Sequence, residues 1–378
     1  MVDWKNADDV ERLAREELSA YSDLSRAPAV DRAMFADMAR LGLFEKFYPA
    51  AYGGRAGDRV SAVELCAIRE GLARLSPVMS TAFATQIGGF FVAASHAHPD
   101  MRAHWIPRLM SGEAVCAVAL TEPGFGSDVS RLSMSARRTD DGWVLNGRKT
   151  WIMKAPEADI YTVFARTSGD TGSKGISAFL VEKDTPGFSG TPMDTLWPDR
   201  VGELTFEDVH VPTTALVGPE GDAFRLGMSI FDAFRPSVGA HVVGLSKTAL
   251  DAALGYASER AAFGQKIGGF QGVSHLLAEM AMRLKAAKLL VLDAALTHDR
   301  GDWKQLPAMA AMSKLQATLT AQFVVDSALQ IFGAEGLRKG NVVEHLYREI
   351  RAARIYEGTD QIQREIVSRA LQRGAFSL

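Results

Sequence analysis

The chain has 378 residues, 47% hydrophobic and 23% charged, with a formal net charge of −3. That length holds two or three domains with a sizeable core, and the near-neutral balance offers no global field for nucleic acid or an anionic membrane. Two cysteines, Cys66 and Cys116, argue against a disulfide framework and for a reducing cytoplasm. The segment from Met1 to Asp9 is polar and acidic, without the basic-then-apolar order of a signal peptide. No uninterrupted apolar run is long enough to span a bilayer.

The first third is helical in pattern. Val30, Met34, Met38 and Leu41 predict a helix over 30–43. Pro49 and Gly53-Gly54 break it, and helical spacing resumes over 60–75. The stretch 79–97 is almost wholly apolar or small. It predicts one buried helix, too interrupted by glycine for a membrane span, and Met79, Ala84, Phe90 and Phe91 are candidates to line a pocket.

From Cys116 the character changes to Gly, Pro, Thr and Ser with short alternating runs. The segment from Trp143 to Trp151 predicts two strands joined at Asn146-Gly147, a strong hairpin signal. Further strands are predicted over 160–165, 176–181 and 204–211, together an antiparallel barrel or sandwich. Long helices return from about Phe224. Leu277, Met280, Leu284, Ala287 and Val291 form a bundle seam, with His275, Glu279, Arg283 and Lys288 largely off it. Met312, Leu315, Leu319 and Phe323 repeat that spacing. The fold class is therefore α+β multidomain: an N-terminal helical domain (1–115), a central antiparallel β-barrel or sandwich (116–215) and a C-terminal helical bundle (216–378).

Several segments bear chemistry, each with a plainer alternative. Glu357 lies between Ile355-Tyr356 and Gly358, just before a helix. Bulky neighbours desolvate a carboxylate and make it a stronger base; alternatively it is a helix-start acid stabilised by the dipole. The loop Thr121-Glu122-Pro123-Gly124-Phe125-Gly126-Ser127-Asp128 can offer backbone N–H groups to a phosphate or a heteroaromatic ring, or is a plain surface turn. Trp151 at a strand end can stack on a flat cofactor or fill a core. Arg260 can pair with a phosphate or satisfy a helix C-terminus, and Gly333 can be a C-cap. The histidines show no metal spacing. The charges from Arg348 to Arg373 alternate as on a solvated or interface helix pair. No GxGxxG follows a strand and opens a helix, so a Rossmann site is unsupported.

Taken together, these segments resemble the acyl-CoA dehydrogenase flavoprotein family. The resemblance runs from Tyr52-Gly53-Gly54 to the final helix. It rests on TEPGFGSD at 121–128, NGRKTWI at 146–152, FEDVHVP at 206–212, ERAAFG at 259–264, FQGVSHLLAEMAM at 270–282, QIFGAEG at 330–336 and IYEGTDQIQR at 355–364. One such segment is weak; the set in this order is specific. The resemblance implies a four-helix bundle at the C-terminus and FAD between the β domain and that bundle. Val118, Leu120, Thr121, Gly126 and Ser127 would hold it from one side, with Trp151, Ile152 and Met153 at the flavin ring. Arg260, Phe263, Gln271, Gln330, Gly333 and Ala334 would reach it from a neighbouring subunit of a homotetramer or homodimer. Thr359 and Gln361 would contact it from the catalytic side. Ser127, Asp232, Arg235 and Gly358 would touch the acyl thioester, and Glu357 matches the catalytic base. Some relatives carry that glutamate where this chain has Phe234. The implied reaction is α,β-dehydrogenation of an acyl-CoA, with an electron-transfer flavoprotein as acceptor and no metal.

The chain also departs from the family pattern. Met153 stands where Thr or Ser usually contacts flavin N5, and a thioether cannot donate that bond. Lys154-Ala155-Pro156 replaces a more usual Asn-Gly or Asn-Ala turn, and Ala334 replaces a common Gly. The loop from Leu196 to Gly202 lacks the usual Ser/Thr cluster and looks shorter. The loop difference fits a different acyl group or carrier; a carrier-protein-tethered substrate and an oxidase passing electrons to oxygen are the alternative readings. A DNA-associated or non-catalytic flavoprotein is the remaining reading; the net charge and the end of the chain at Leu378 argue against it.

Overall fold

The computed structural model describes residues 3–24, 29–56, 60–169 and 172–375; Met1, Val2 and Leu378 lie outside them. Short polar side chains start the N-terminal helices. Helix α1 (Ala7–Glu17) opens on Asn6, α2 (Arg32–Arg40) on Asp31 and α3 (Ala62–Leu75) on Ser61, each accepting from a first-turn N–H. Those caps satisfy donors that the helix itself leaves unpaired, so the helices expected over 30–43 and 60–75 begin slightly later. The single helix expected over 79–97 is two, α4 (Pro77–Gly88) and α5 (Phe91–His96), followed by α6 (Pro99–Met110). At the break the chain packs tightly on the sheet and needs glycine: a Cβ on Gly89 would sit 2.9 Å from Cys116 Sγ and 3.0 Å from Ala117 Cα. By length and composition Pro77–His96 is apolar enough to cross a bilayer, but 78% of an 18-residue window within it is buried inside the protein. It is core, and Met79 and Phe90 are buried within it.

The β domain contains β1 (Cys116–Ala119), β2 (Ser135–Arg138), β3 (Gly142–Met153), β4 (Ile160–Arg166), β5 (Ile176–Glu182), β6 (Phe188–Pro192), β7 (Val201–Pro212) and β8 (Leu216–Val217). Their order is β6-β7-β3-β2-β4-β5-β8, with β1 beside β4. Pairing is mostly antiparallel, but β1 runs parallel to β4 and β2 meets β4 in parallel at Ser135 and Arg166. The hairpin expected at Asn146-Gly147 is absent. The chain runs straight through it as β3, and the register against β7 slips between Leu145 and Gly147. Asn146 Nδ2 donates to Asp208 Oδ1 at 3.0 Å while Asp208 N donates to Asn146 Oδ1 at 2.9 Å. The Asn-Gly pair therefore makes a β-bulge, because β2 and β7 flank β3 and hold it extended.

The C-terminal domain holds α7 (Ala223–Glu259), a small hairpin of β9 (Ala261–Ala262) and β10 (Gln265–Lys266), then α8 (Gln271–Arg300), α9 (Leu306–Phe332), α10 (Val342–Ala353) and α11 (Asp360–Gln372). The α8 seam is buried as expected. The α9 seam is not: Met312, Leu315, Leu319 and Phe323 are only half-buried, and Ala310, Lys314, Ala317 and Ala321 are fully buried. Small residues let α9 approach α7 closely, so the deepest face is the one with the least side chain. One apolar cluster joins the N-terminal helices to the sheet, and a second fills the helical domain and reaches α3.

Candidate active site

Glu357 lies in the link between α10 and α11. Its backbone is left-handed (φ +53) and Gly358 follows at φ +94. For a glutamate that conformation costs roughly 1–3 kcal/mol and persists only where the surroundings fix it. Here they do. Arg235 Nε donates to the Glu357 carbonyl at 3.2 Å and Gln363 Nε2 donates to it at 3.0 Å. The Gly358 carbonyl accepts from Lys314 Nζ at 2.7 Å and from Gln363 Nε2 at 2.8 Å.

The Glu357 side chain keeps part of its surface open, but Oε2 is enclosed and has no hydrogen-bond partner. Burial raises the carboxyl above its ordinary range, while the charges of Arg69, Arg235 and Lys314 pull it back. The helix-start alternative does not hold. Thr359 caps α11, and the first-turn acid is Asp360, held by Arg354 Nη2 at 2.6 Å. Gln361 points outward and is exposed. Asp232 is half-buried one turn before Arg235, and burial raises its carboxyl. Arg69, Lys314 and Gln363 were not singled out by sequence. A usable signal existed for Lys314: it falls in phase with Ala310, Ala317 and Ala321 on a stripe otherwise made of small residues.

The glycine-rich loop is more than a surface turn. Its Glu122 is buried and accepts from Ser133 N at 2.7 Å, Ser133 Oγ at 2.9 Å, Met134 N at 2.9 Å and Lys149 Nζ at 2.9 Å. Lys149 also donates to the Leu120 carbonyl at 3.0 Å. Thr150 N donates to the Thr121 carbonyl at 3.0 Å, which ties the loop to β3. Val118 and Leu120 are half-buried, whereas Gly126 and Ser127 are exposed. A Cβ on Gly126 would meet nothing within 4 Å. Trp151 is 58% exposed at φ +60, where β3 slips register again between Lys149 and Ile152. It fills no core of this chain. The buckled strand turns its indole outward, leaves Ile152 buried and Met153 half-buried, and offers a flat aromatic face.

The remaining predicted residues lie elsewhere. Arg260 and Phe263 sit at the β9–β10 hairpin, with Phe263 96% exposed. Gln271 opens α8, and Gln330, Gly333 and Ala334 lie at the exposed end of α9. Tyr256 stacks on Phe332 with centroids 4.3 Å apart, so both segments share one end of the helical domain. At 1.5 Å per residue, Gln330 is roughly 24 Å beyond Lys314 along α9, and Glu259, next to Arg260, is roughly 36 Å beyond Arg235 along α7. Within one chain they do not meet Glu357.

Comparison with known proteins settles the family. The N-terminal, middle and C-terminal domain models of acyl-CoA dehydrogenase match residues 5–113, 117–209 and 221–372. The chain belongs to the acyl-CoA dehydrogenase family. It is 34% identical to a probable acyl-CoA dehydrogenase of Mycobacterium tuberculosis, over 96% of this chain and 94% of that one. It is 36% identical to the human mitochondrial short-chain specific acyl-CoA dehydrogenase, over 89% of this chain and 81% of the relative. Among solved structures, butyryl-CoA dehydrogenase from Megasphaera elsdenii superposes with a TM-score of 0.91 at 30% identity, covering 99% of both chains. The chain is thus an enzyme of an FAD-dependent oxidoreductase family, with that family's order of helical, β and helical domains.

In this member of the family, a buried acid pair lies near the Glu357 loop. Glu349 Oε1 accepts from Trp197 Nε1 at 2.8 Å and Asp199 Oδ1 accepts from Arg200 N at 2.7 Å, while Glu349 Oε2 and Asp199 Oδ2 have no partner. Burial, then the Asp199 charge, pushes Glu349 up to about 8; burial pushes Asp199 up to about 6. The sequence placed Glu349 in the charge alternation of a solvated or interface helix pair, and the structure excludes the solvated reading for this residue: α10 turns Glu349 inward, onto Trp197 from the β domain. An acid whose folded value is raised holds a proton that the unfolded chain has released. Its contribution to stability is full below about 4.5 and is lost as pH rises to about 8. Glu349→Gln should therefore melt near wild type at pH 5 and above wild type at pH 8.5. Thermal unfolding at both values checks this, and a pH-independent difference would reject it.

Proposed function

We propose that this enzyme converts an acyl-CoA to its 2-enoyl-CoA, with Glu357 as the general base. The observation that carries the reading is the enclosed, unpartnered Oε2 of Glu357 on a loop whose carbonyls are tied down by Arg235, Lys314 and Gln363. A thioester α-proton is too weakly acidic for a solvated carboxylate. A desolvated one is a stronger base, and ordering the loop in advance lowers the cost of aligning it.

The residues fit FAD. Trp151 supplies an exposed aromatic face, the 121–127 loop leaves open space at Gly126, and Thr121 and Ser127 add hydroxyls. When bound, the flavin accepts the β-hydrogen together with its electron pair. Glu357 takes the α-proton, and the electrons of that C–H bond become the new C=C bond. The backbone N–H of Glu357 is our candidate donor to the thioester carbonyl, where negative charge develops. Asp232, Arg235 and Gly358 border the acyl thioester, and Thr359 and Gln361 the flavin.

Arg260, Phe263, Gln271, Gln330, Gly333 and Ala334 are exposed and far along their helices from Glu357. We assign them to the FAD site of a second copy in a homotetramer or homodimer. An electron-transfer flavoprotein is the proposed acceptor. Both cysteines are free and buried, in keeping with a reducing cytoplasm.

The test is anaerobic flavin bleaching. The purified protein should be yellow and should bleach with at least one acyl-CoA from a panel of chain lengths. A colourless protein, or a yellow one inert to every thioester, rejects the reading. Bleaching only by carrier-loaded thioesters would move the substrate from CoA to a carrier protein, and stoichiometric peroxide in air would make the enzyme an oxidase.

A further inference from the structure

We propose that Trp197 is a positioning residue for the catalytic base, holding the Glu357 loop from the β-domain side. This rests on the role proposed for Glu357. Trp197 stands in the 193–200 segment between β6 and β7. That segment is pinned to the sheet at both ends, by Met193 N to the Val201 carbonyl at 2.8 Å and by Lys154 N to the Arg200 carbonyl at 2.8 Å. Thr195 Oγ1 donates to the Trp197 carbonyl at 2.9 Å. From this anchor the indole crosses to the C-terminal domain. It stacks on the Tyr356 ring with centroids 5.3 Å apart and planes 30° apart, and it donates Nε1–H to Glu349 on α10 at 2.8 Å.

Both contacts act on the same short lever. Tyr356 is bonded directly to Glu357, and Glu349 lies on the helix that leads into the link. The left-handed backbone at Glu357 is not one a glutamate prefers, so both sides of it need support. Arg235, Lys314 and Gln363 hold the carbonyls of Glu357 and Gly358; Trp197 holds the residue before them. The stack therefore decides which way the carboxyl faces when the β domain and the helical domain enclose a substrate. A displacement of about 1 Å at a reacting group can cost about 100-fold in rate.

The test uses the FAD-loaded enzyme and the acyl-CoA that bleaches wild type. Trp197→Phe keeps a stacking ring and Trp197→Leu removes it. The Leu variant should lose about 10-fold or more in bleaching rate at saturating substrate, with KM within about threefold. The Phe variant should recover most of the loss. Amide exchange over 355–359, measured with FAD but without substrate, should quicken in Leu and stay near wild type in Phe. A Leu variant at the wild-type rate overturns the proposal, as do equal losses in Phe and Leu or a loss confined to KM. If Trp197→Leu does not hold FAD, Tyr356→Phe and Tyr356→Leu approach the same stack from the other side, and equal rates in that pair overturn it. A wild-type enzyme that no thioester bleaches would instead reject the functional reading.

Discussion

Glu357→Gln should hold FAD, keep the fold and lose at least about 10²-fold in the rate of anaerobic bleaching, the scale of general-base loss. Glutamine is nearly isosteric, and the hydrogen bonds at this loop go to the Glu357 and Gly358 carbonyls. The side-chain Oε2 has no partner, so replacing the carboxyl by an amide breaks no hydrogen bond there. What the change removes is the proton acceptor. Burial outweighs the pull of Arg69, Arg235 and Lys314 on this carboxyl, so an uncharged side chain there should leave thermal unfolding at or slightly above wild type. The readouts separate: visible absorbance reports FAD, thermal unfolding reports the fold, and stopped-flow bleaching reports the base. Near-normal bleaching would remove Glu357 from the mechanism.

Glu122→Ala should cost about 3–5 kcal/mol of stability, the scale for breaking one side of a buried ion pair. Lys149 has no exposed side-chain surface and Glu122 is almost as deeply buried. Without the carboxylate, Lys149 Nζ keeps only the Leu120 carbonyl among its recorded partners. Met134 N, a buried donor, and Ser133 N lose their acceptor as well, which falls within the same cost of about 3–5 kcal/mol. The loop that carries Thr121, Gly126 and Ser127 hangs on this pair, so FAD content should fall together with the denaturation midpoint. Glu122→Leu combined with Lys149→Met should recover much of the stability, because a well-packed apolar pair replaces a buried ionic one at little cost. A single Glu122→Ala protein within about 1 kcal/mol of wild type would show that the pair does not organise the loop.

Local patterns located Glu357, the glycine-rich loop and the alternation of helical, β and helical segments. A carboxylate between Tyr356 and Gly358, and an α8 seam at Leu277, Met280 and Leu284, are signals carried by neighbours in sequence. Where two local signals competed, the longer-range one won. Asn146-Gly147 has hairpin chemistry, but β2 and β7 on either side hold β3 extended and turn the pair into a bulge. Met312, Leu315, Leu319 and Phe323 have seam spacing, but close approach of α9 to α7 favours the alanine face.

Glu349 was misplaced, and the two readings of Trp151 stayed open, for a related reason. Exposure of an indole and burial of an acid depend on which partner covers them, and that partner is distant in the chain. By itself, the sequence determined the family, the domain order and Glu357 as the candidate base, because each resides in contiguous residues whose chemistry is legible without a partner. Only the tertiary structure decided what surrounds Glu357 and its neighbour Tyr356: Arg69 from α3, Arg235 from α7, Lys314 from α9 and Trp197 from the link between β6 and β7. Side chains so far apart along the chain converge through packing, and no spacing of residues encodes a distance across a folded core.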